Sequence, residues 1–289
     1  FGESDLLPGL IVDRYGDCLS VQFLAYGMDC RKDMIVDILR EIFSPVCIYE
    51  RSDVSVRSKE GLKETKGVLY GALPDSLIIT ENGVKLSIDL VNGQKTGYFL
   101  DQKGNRDNLK HYVKGKRVLD LFCNQGGFSL AAARYGAEEI IAVDVSRTAL
   151  EKVEKNAELN GFSNITTREA DVFDLLREYK KSGETFDVII LDPPAFTKSA
   201  DTIREGYAGY RDINTIALKL LRPNGILFTC SCSQHLTLPL FLDMIKESAS
   251  RSGTRVRLVE LRTQGKDHAP LIGADEGLYL KAAVLAKVN

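Results

Sequence analysis

VLDLFCNQGG, residues 118–127, decides the fold as the first of five similar apolar runs. It is short and ends in two glycines. The next three runs each close on an aspartate: EIIAVD (139–144), ITTREAD (165–171) and FDVIILD (186–192), the last leading into Pro193-Pro194. The fifth, GILFTCSC (225–232), closes on cysteine. Helices are expected between the runs, near 128–135, 148–160, 172–181 and 203–221, with another at 238–250. Strict strand–helix alternation gives a parallel sheet with helices on both faces. Ligands of such sheets bind outside the carboxyl ends of the strands. Three carboxylates and two thiols are therefore expected around one crevice.

Runs 255–261 and 278–288 supply two more strands. Seven strands, the last two nearly consecutive, fit the Rossmann-like α/β sheet of class I S-adenosylmethionine (SAM) methyltransferases, in which the seventh strand is antiparallel. This catalytic domain is expected over 114–289, after a basic β-hairpin or linker over 93–113. Residues 1–92 read as a small α/β domain. GLIVDRY (9–15) and CLSVQFL (18–24) flank the turn Gly16-Asp17, and a second hairpin is expected around Asn82-Gly83. Met34, Ile35, Ile38, Leu39 and Ile42 have helical spacing. VCIYE (46–50) reads as a third strand, and YERSDVSVRSKEG (49–61) is charged and poorly periodic, as an irregular connection would be.

The 289 residues suffice for one large domain or two smaller ones. No apolar run reaches the ~18–20 residues of a membrane-spanning helix, so no membrane partner is expected. The six cysteines are scattered with no CxxC pair, which points to reduced thiols in the cytoplasm rather than a disulfide framework. Phe1 stands where Met would, and a missing N-terminal module is expected. The net charge of −2 argues mildly against nucleic acid. Residues 93–117, however, carry seven Lys/Arg against two Asp, either a solvated face or a place for phosphates.

The turn after the first strand is not GxGxxG, which disfavours a dinucleotide. Its Phe122, Gly126 and Gly127 are the expected cofactor contacts, since glycines there allow positive φ and close backbone approach. Asp144, ending the second strand, can accept from both ribose hydroxyls. Asp171, ending the third, can accept from an adenine amino group. Either could instead cap the helix that comes next.

Asp192 precedes two prolines, which stiffen the turn and hold it extended. Amino-methyltransferases often carry an aromatic directly after Pro-Pro. Here Ala195 intervenes before Phe196. Cys230 and Cys232 share a strand face, with Cys232 nearer the carboxyl edge. A thiolate adding to pyrimidine carbon 6 makes carbon 5 nucleophilic, a covalent route to its methylation. Asp192 would then hold the base. The paired cysteines could equally be small core residues. Zinc on Cys230, Cys232 and His235 lacks a second ligand cluster, and no metal is expected.

The chain resembles a known family. LPGLIVDRYG (7–16), YERSDVSVRSKEG (49–61), KTGYFLDQ (95–102), DPPAF (192–196), Ser231-Cys232-Ser233 and EGLYL (276–280) are similar to the large-subunit ribosomal RNA methyltransferase I family. The resemblance implies a SAM-dependent enzyme that makes 5-methylcytosine in 23S rRNA, and an N-terminal PUA domain, which is the module expected to be missing here. It implies Cys232 as nucleophile and places Gln102 near SAM. Cys230 stands where the family usually has another residue. Thr229-Cys230-Ser231 also fits the Thr-Cys-Ser motif of other 5-methylcytosine enzymes, so both sulfurs stay candidates. Two rivals remain: a nitrogen methyltransferase using DPPAF without a thiol, and a non-catalytic rRNA-binding assembly factor. Pairing into a homodimer stays open.

Overall fold

The structure is a computed structural model that describes residues 2–197, 199–274 and 277–288. Phe1, and Glu276 of the EGLYL stretch, lie outside the described residues. The chain forms two compact units. The first comprises Phe1–Glu81, Lys85–Gln102 and Gly265–Gly277; the second comprises Asn82–Val84, Lys103–Gln264 and Leu278–Asn289.

In the first unit, β1 (Leu10–Tyr15) and β2 (Cys18–Phe23) form the hairpin around Gly16-Asp17. Helix α1 (Tyr26–Asp29) and the longer α2 (Lys32–Phe43) come next, then β3 (Cys47–Ser52) and β4 (Thr65–Gly71). They make one sheet in the order β1-β2-β3-β4. Helix α2 buries Val36 and Leu39, whereas Met34, Ile38 and Ile42 stay exposed, so only part of its apolar spacing faces the core. Strand β4 is not legible in the sequence pattern, because Gly67 and Gly71 obscure its alternation. The stretch 49–61 is more ordered than its composition suggests. Its first four residues belong to β3, where Glu50 is buried and receives Lys32 Nζ at 2.8 Å. Arg51 donates to the Leu90 and Gly93 carbonyls at 2.8 and 2.9 Å. Arg57, also buried, pairs with Asp29 at 3.1 Å. Glu50, Arg51 and Arg57 are thus internal wiring, whereas Lys59 and Glu60 are exposed. Strands β5 (Leu77–Glu81) and β6 (Val84–Ile88) make the second expected hairpin, with Asn82 and Gly83 both at positive φ as a type I′ turn requires.

Residues 93–113 do not form the expected hairpin. A 3-10 turn, Leu100–Gln102, leads into α3 (Lys103–Asn108) and another turn, Leu109–His111. Asn105, Arg106, Asn108 and Leu109 point inward at helical spacing, which a strand could not achieve.

The second unit is built on β7 (Arg117–Leu121), α4 (Gly127–Arg134), β8 (Glu139–Asp144), α5 (Arg147–Asn160), β9 (Ile165–Glu169), α6 (Val172–Ser182), β10 (Phe186–Leu191), α7 (Ile203–Leu220), β11 (Leu221–Ser231), α8 (Leu238–Ser252), β12 (Arg255–Arg262) and β13 (Lys281–Val288). The seven strands run β12-β13-β11-β10-β7-β8-β9. Strand β13 is antiparallel to both its neighbours, and the pairs from β11 to β9 are parallel. Along β10, Val188 and Ile190 pack in the cluster of Leu109, Val113 and α4, while Ile189 and Leu191 pack in that of α6, α7 and α8. Burial on both faces explains why FDVIILD reads as a continuous apolar run. The strand order reverses between β7 and β10, which opens the crevice at their carboxyl ends. Among the described residues no helix is long and apolar enough to cross a membrane.

Candidate active site

The loop leaving β7 is held in unusual backbone geometry. Phe122, Asn124 and Gly126 have φ of 62°, 50° and 80°. Gly126 also has no room for a side chain, since a Cβ there would lie 2.9 Å from Val153 Cγ1 of α5. The loop is anchored from β8: Asp144 Oδ2 accepts from the Asn124 N–H at 2.9 Å, and its Oδ1 accepts from the Ser146 N–H at 3.0 Å. Asp144 therefore ties the loop to the start of α5 and remains half-buried at the rim.

Asp120, inside β7, is fully buried. Its Oδ2 accepts from Ser129 Oγ at 2.5 Å, and its Oδ1 has no hydrogen-bond partner among the described residues. Burial pushes its carboxyl up to about 7 against the Ser129 hydrogen bond, and the charges of Asp192 and Asp144 push the same way. Asp120, Asp144 and Asp192 thus influence one another; Asp120 stands here in place of the expected Asp171. The sequence pattern does not single out Asp120 as a site residue. An aspartate amid the apolar run VLDLF is the signal that could have found it.

Asp171 takes the capping role. Its Oδ1 accepts from the Phe173 and Asp174 N–H groups at 2.8 and 3.1 Å, starting α6, and the residue is exposed. Gly127 is the first residue of α4. Gln102 is buried and belongs to the first unit, whereas the other candidate site residues belong to the second.

The loop after β10 is moulded against α7. Gly206 of α7 lets it approach, since a Cβ there would fall 2.4 Å from Thr197 Cγ2. The Tyr210 hydroxyl donates to the Pro194 carbonyl at 3.3 Å. Phe196 packs against Tyr210 with ring centroids 4.6 Å apart, and against Phe122 and Phe173 at 6.1 and 5.9 Å. Its ring thus bridges the loops after β7 and β10. Thr197 ties the same segment to the loop after β11 through a hydroxyl–hydroxyl bond with Ser233, whose Oγ also donates to the Thr197 carbonyl at 2.6 Å.

The two cysteines part company at the end of β11. Cys230 has no exposed surface and packs with Phe228, Ala282 and Val284. Cys232, one residue beyond the strand, is partly exposed, with its Sγ 4.0 Å from the Pro193 carbonyl. Cys123, on the β7 loop, is buried, and burial with the nearby Asp120 and Asp144 pushes its thiol well up. Cys232 is therefore the sulfur of this region best disposed to react. Beside it stands Lys281, the first residue of β13, a position that no sequence motif marks. It is 3% exposed, and its Nζ donates to the Ser233 and Tyr279 carbonyls at 2.6 and 2.8 Å. A single Lys opening the apolar strand KAAVLAKV is the only local sign of it.

The basic segment 93–117 offers less to phosphates than its charge suggests. Lys95 pairs with Asp101 at 2.8 Å, Lys110 with Asp107 at 2.7 Å, and Arg117 with Glu139 and Glu184 at 2.8 and 2.6 Å. Arg106 is buried, and Lys103, Lys114 and Lys116 are exposed. Among the described residues no group of three or more His, Cys, Asp or Glu could hold a metal ion.

Known proteins resemble this chain along its length. Residues 65–283 match the S-adenosylmethionine-dependent methyltransferase family. A ribosomal RNA large subunit methyltransferase I from Aeromonas hydrophila is 46% identical over 98% of this chain and 72% of its own. One from Tolumonas auensis is 44% identical over 99% and 73%. Among solved structures, a Streptococcus mutans chain provisionally described as a SAM-dependent methyltransferase superposes with a TM-score of 0.85 at 26% identity, covering 99% of this chain and 73% of that one. A methyltransferase complexed with SAH superposes at 0.84 with 25% identity and the same coverage.

Proposed function

Because the chain belongs to the S-adenosylmethionine-dependent methyltransferase family and, within it, to the ribosomal RNA large subunit methyltransferase I family, we propose that it methylates carbon 5 of a cytosine in 23S rRNA through a covalent adduct on Cys232. The observation that carries this reading is the contrast between Cys230, sealed in the core, and Cys232, partly exposed at the carboxyl edge.

The crevice suits the cofactor. SAM carries an ammonium and a sulfonium, which three convergent carboxylates favour, and Asp120 Oδ1 has an unfilled hydrogen-bonding capacity. The closely packed Gly126 lets a ligand approach backbone rather than side chain. Phe122, Gly126, Gly127 and Asp144 would hold the cofactor. Asp171 would contribute through the oxygen that does not cap α6, and Gln102 is carried with them from the family resemblance. When bound, SAM supplies an electrophilic methyl group.

The chain's own residues prepare the acceptor. The base must leave its stack to reach the pocket, and Asp192 would hold it by accepting from the exocyclic amine or a protonated ring nitrogen. Cys232 sulfur adds to carbon 6, and the displaced pair of the 5,6 double bond makes carbon 5 nucleophilic. After carbon 5 gains its methyl group, loss of its proton restores the double bond and expels the sulfur as thiolate. The packing of Phe196 among Phe122, Phe173 and Tyr210 disfavours the thiol-free nitrogen route, which needs an aromatic free to stack on the base.

RNA carrying 5-fluorocytidine at the target blocks proton loss and should trap the adduct. Wild type and Cys230→Ala should trap; Cys232→Ala should not. Equal trapping by Cys232→Ala refutes the assignment.

A further inference from the structure

We propose that Lys281 is the positioning residue of the nucleophile: its buried ammonium fixes Ser233, the residue after Cys232, and favours the thiolate over the thiol. This rests on Cys232 being the attacking sulfur.

The placement is specific. Lys281 pairs with Ser231 across the antiparallel β11–β13 ladder, so its backbone lies beside the last strand residue before the cysteine. Its side chain reaches forward to the carbonyl of Ser233, the residue just after the cysteine, and back to its own strand at Tyr279. Ser233 is held in turn by Thr197 from the β10 loop. The residues either side of Cys232 are thus fixed, while the cysteine keeps access to solvent.

A cation is a costly choice here. Strand β13 continues through Ala282, Ala283, Val284 and Leu285, all buried, and a buried ammonium loses its hydration. Two carbonyls could be satisfied by a neutral donor. What a neutral donor lacks is charge, and the group whose charge acts on Lys281 is Cys232: burial pushes the ammonium down to about 8, and a Cys232 thiolate holds it up. A free thiol titrates near ~8.5. A charged Lys281 and a Cys232 thiolate therefore stabilise each other. Among the described residues, Tyr210 and Asp192 also belong to this surrounding, and neither is a cation. Tyr210, from α7, has its hydroxyl pushed up by burial and by Cys232 and Asp192. Asp192, from the β10 loop, would oppose a thiolate. Lys281 answers the requirement that the covalent route places on this site.

The test measures alkylation of Cys232 by iodoacetamide against pH, quantified at that peptide by mass spectrometry, in wild type, Lys281→Gln and Lys281→Arg. Gln keeps a hydrogen-bond donor without charge; Arg keeps the charge. A thermal melt and SAM calorimetry establish that each variant is folded. The proposal expects the Lys281→Gln profile to move up by a pH unit or more, so that alkylation at pH 7 falls about ten-fold. Trapping on 5-fluorocytidine RNA should slow in parallel, and Lys281→Arg should recover part of both. A folded Lys281→Gln with unchanged alkylation and trapping overturns the role of Lys281 and leaves Cys232 standing. Wild type that forms no adduct at Cys232 overturns both. If Gln fails to fold, Arg decides: a profile shifted as far as that of a thiol with no cation beside it overturns the charge role.

Discussion

Replacing Asp120 by Asn should make the ligand-free protein more stable at alkaline pH and leave it nearly unchanged in acid. The carboxyl is pushed from 3.8 to about 7 chiefly by burial. A folded-state value raised above the unfolded one means the native protein binds more protons between these limits. Stability from this group is complete below about pH 4 and is lost as pH rises through 7. Three pH units at ~1.36 kcal/mol each amount to about 4 kcal/mol, an upper bound because water entering the crevice reduces the penalty. Asn preserves an acceptor for Ser129 Oγ and does not ionise. Urea denaturation of both proteins at pH 4.5 and 8.5 measures the difference directly. The variant should gain several kcal/mol on wild type between the two, while binding SAM less tightly for want of the carboxylate. A stability difference that is flat across this range refutes the reasoning.

Gly126→Ala combines a left-handed backbone, about 1–2 kcal/mol for a residue with a Cβ, with a contact of 2.9 Å to Val153 Cγ1. Overpacking adds about 1–3 kcal/mol, so denaturation should show a loss of about 2–5 kcal/mol, and calorimetry weaker SAM binding. Gly206→Ala would ordinarily strengthen a helix by ~1 kcal/mol. Here its Cβ meets Thr197 Cγ2 at 2.4 Å and the Phe196 backbone at 2.9 Å. Methyl transfer should fall ten-fold or more as the Asp192 loop shifts, with SAM affinity preserved; unchanged turnover contradicts the moulding of that loop on α7.

The sequence by itself determined the sheet and which residues stand near its carboxyl edge. Period-two and period-3.6 patterns are local, and a strand buried on both faces announces itself as FDVIILD does. Glycines at 126 and 127 and aspartates at 144 and 192 can be assigned to strand ends by counting, and the Asn82-Gly83 turn by its residues. Patterning fails where polar side chains are internal. The charged run 49–61 reads as loop because nothing local reveals that Glu50, Arg51 and Arg57 find partners across the first unit. The charge of 93–117 likewise looks available in the sequence, yet Arg117 meets Glu139 and Glu184, partners 22 and 67 residues away.

Only the tertiary structure separates Cys230 from Cys232 by exposure. Alternation puts both on one face, but it stops where the strand stops. Exposure beyond that point depends on how the chain leaves the sheet. Here Cys230 is covered by Ala282 and Val284 of a strand that arrives some 50 residues later, and Cys232 escapes past its first residue, Lys281. Burial, and the cation that accompanies the sulfur, are properties of that antiparallel pairing, and no window of sequence around the cysteine contains it.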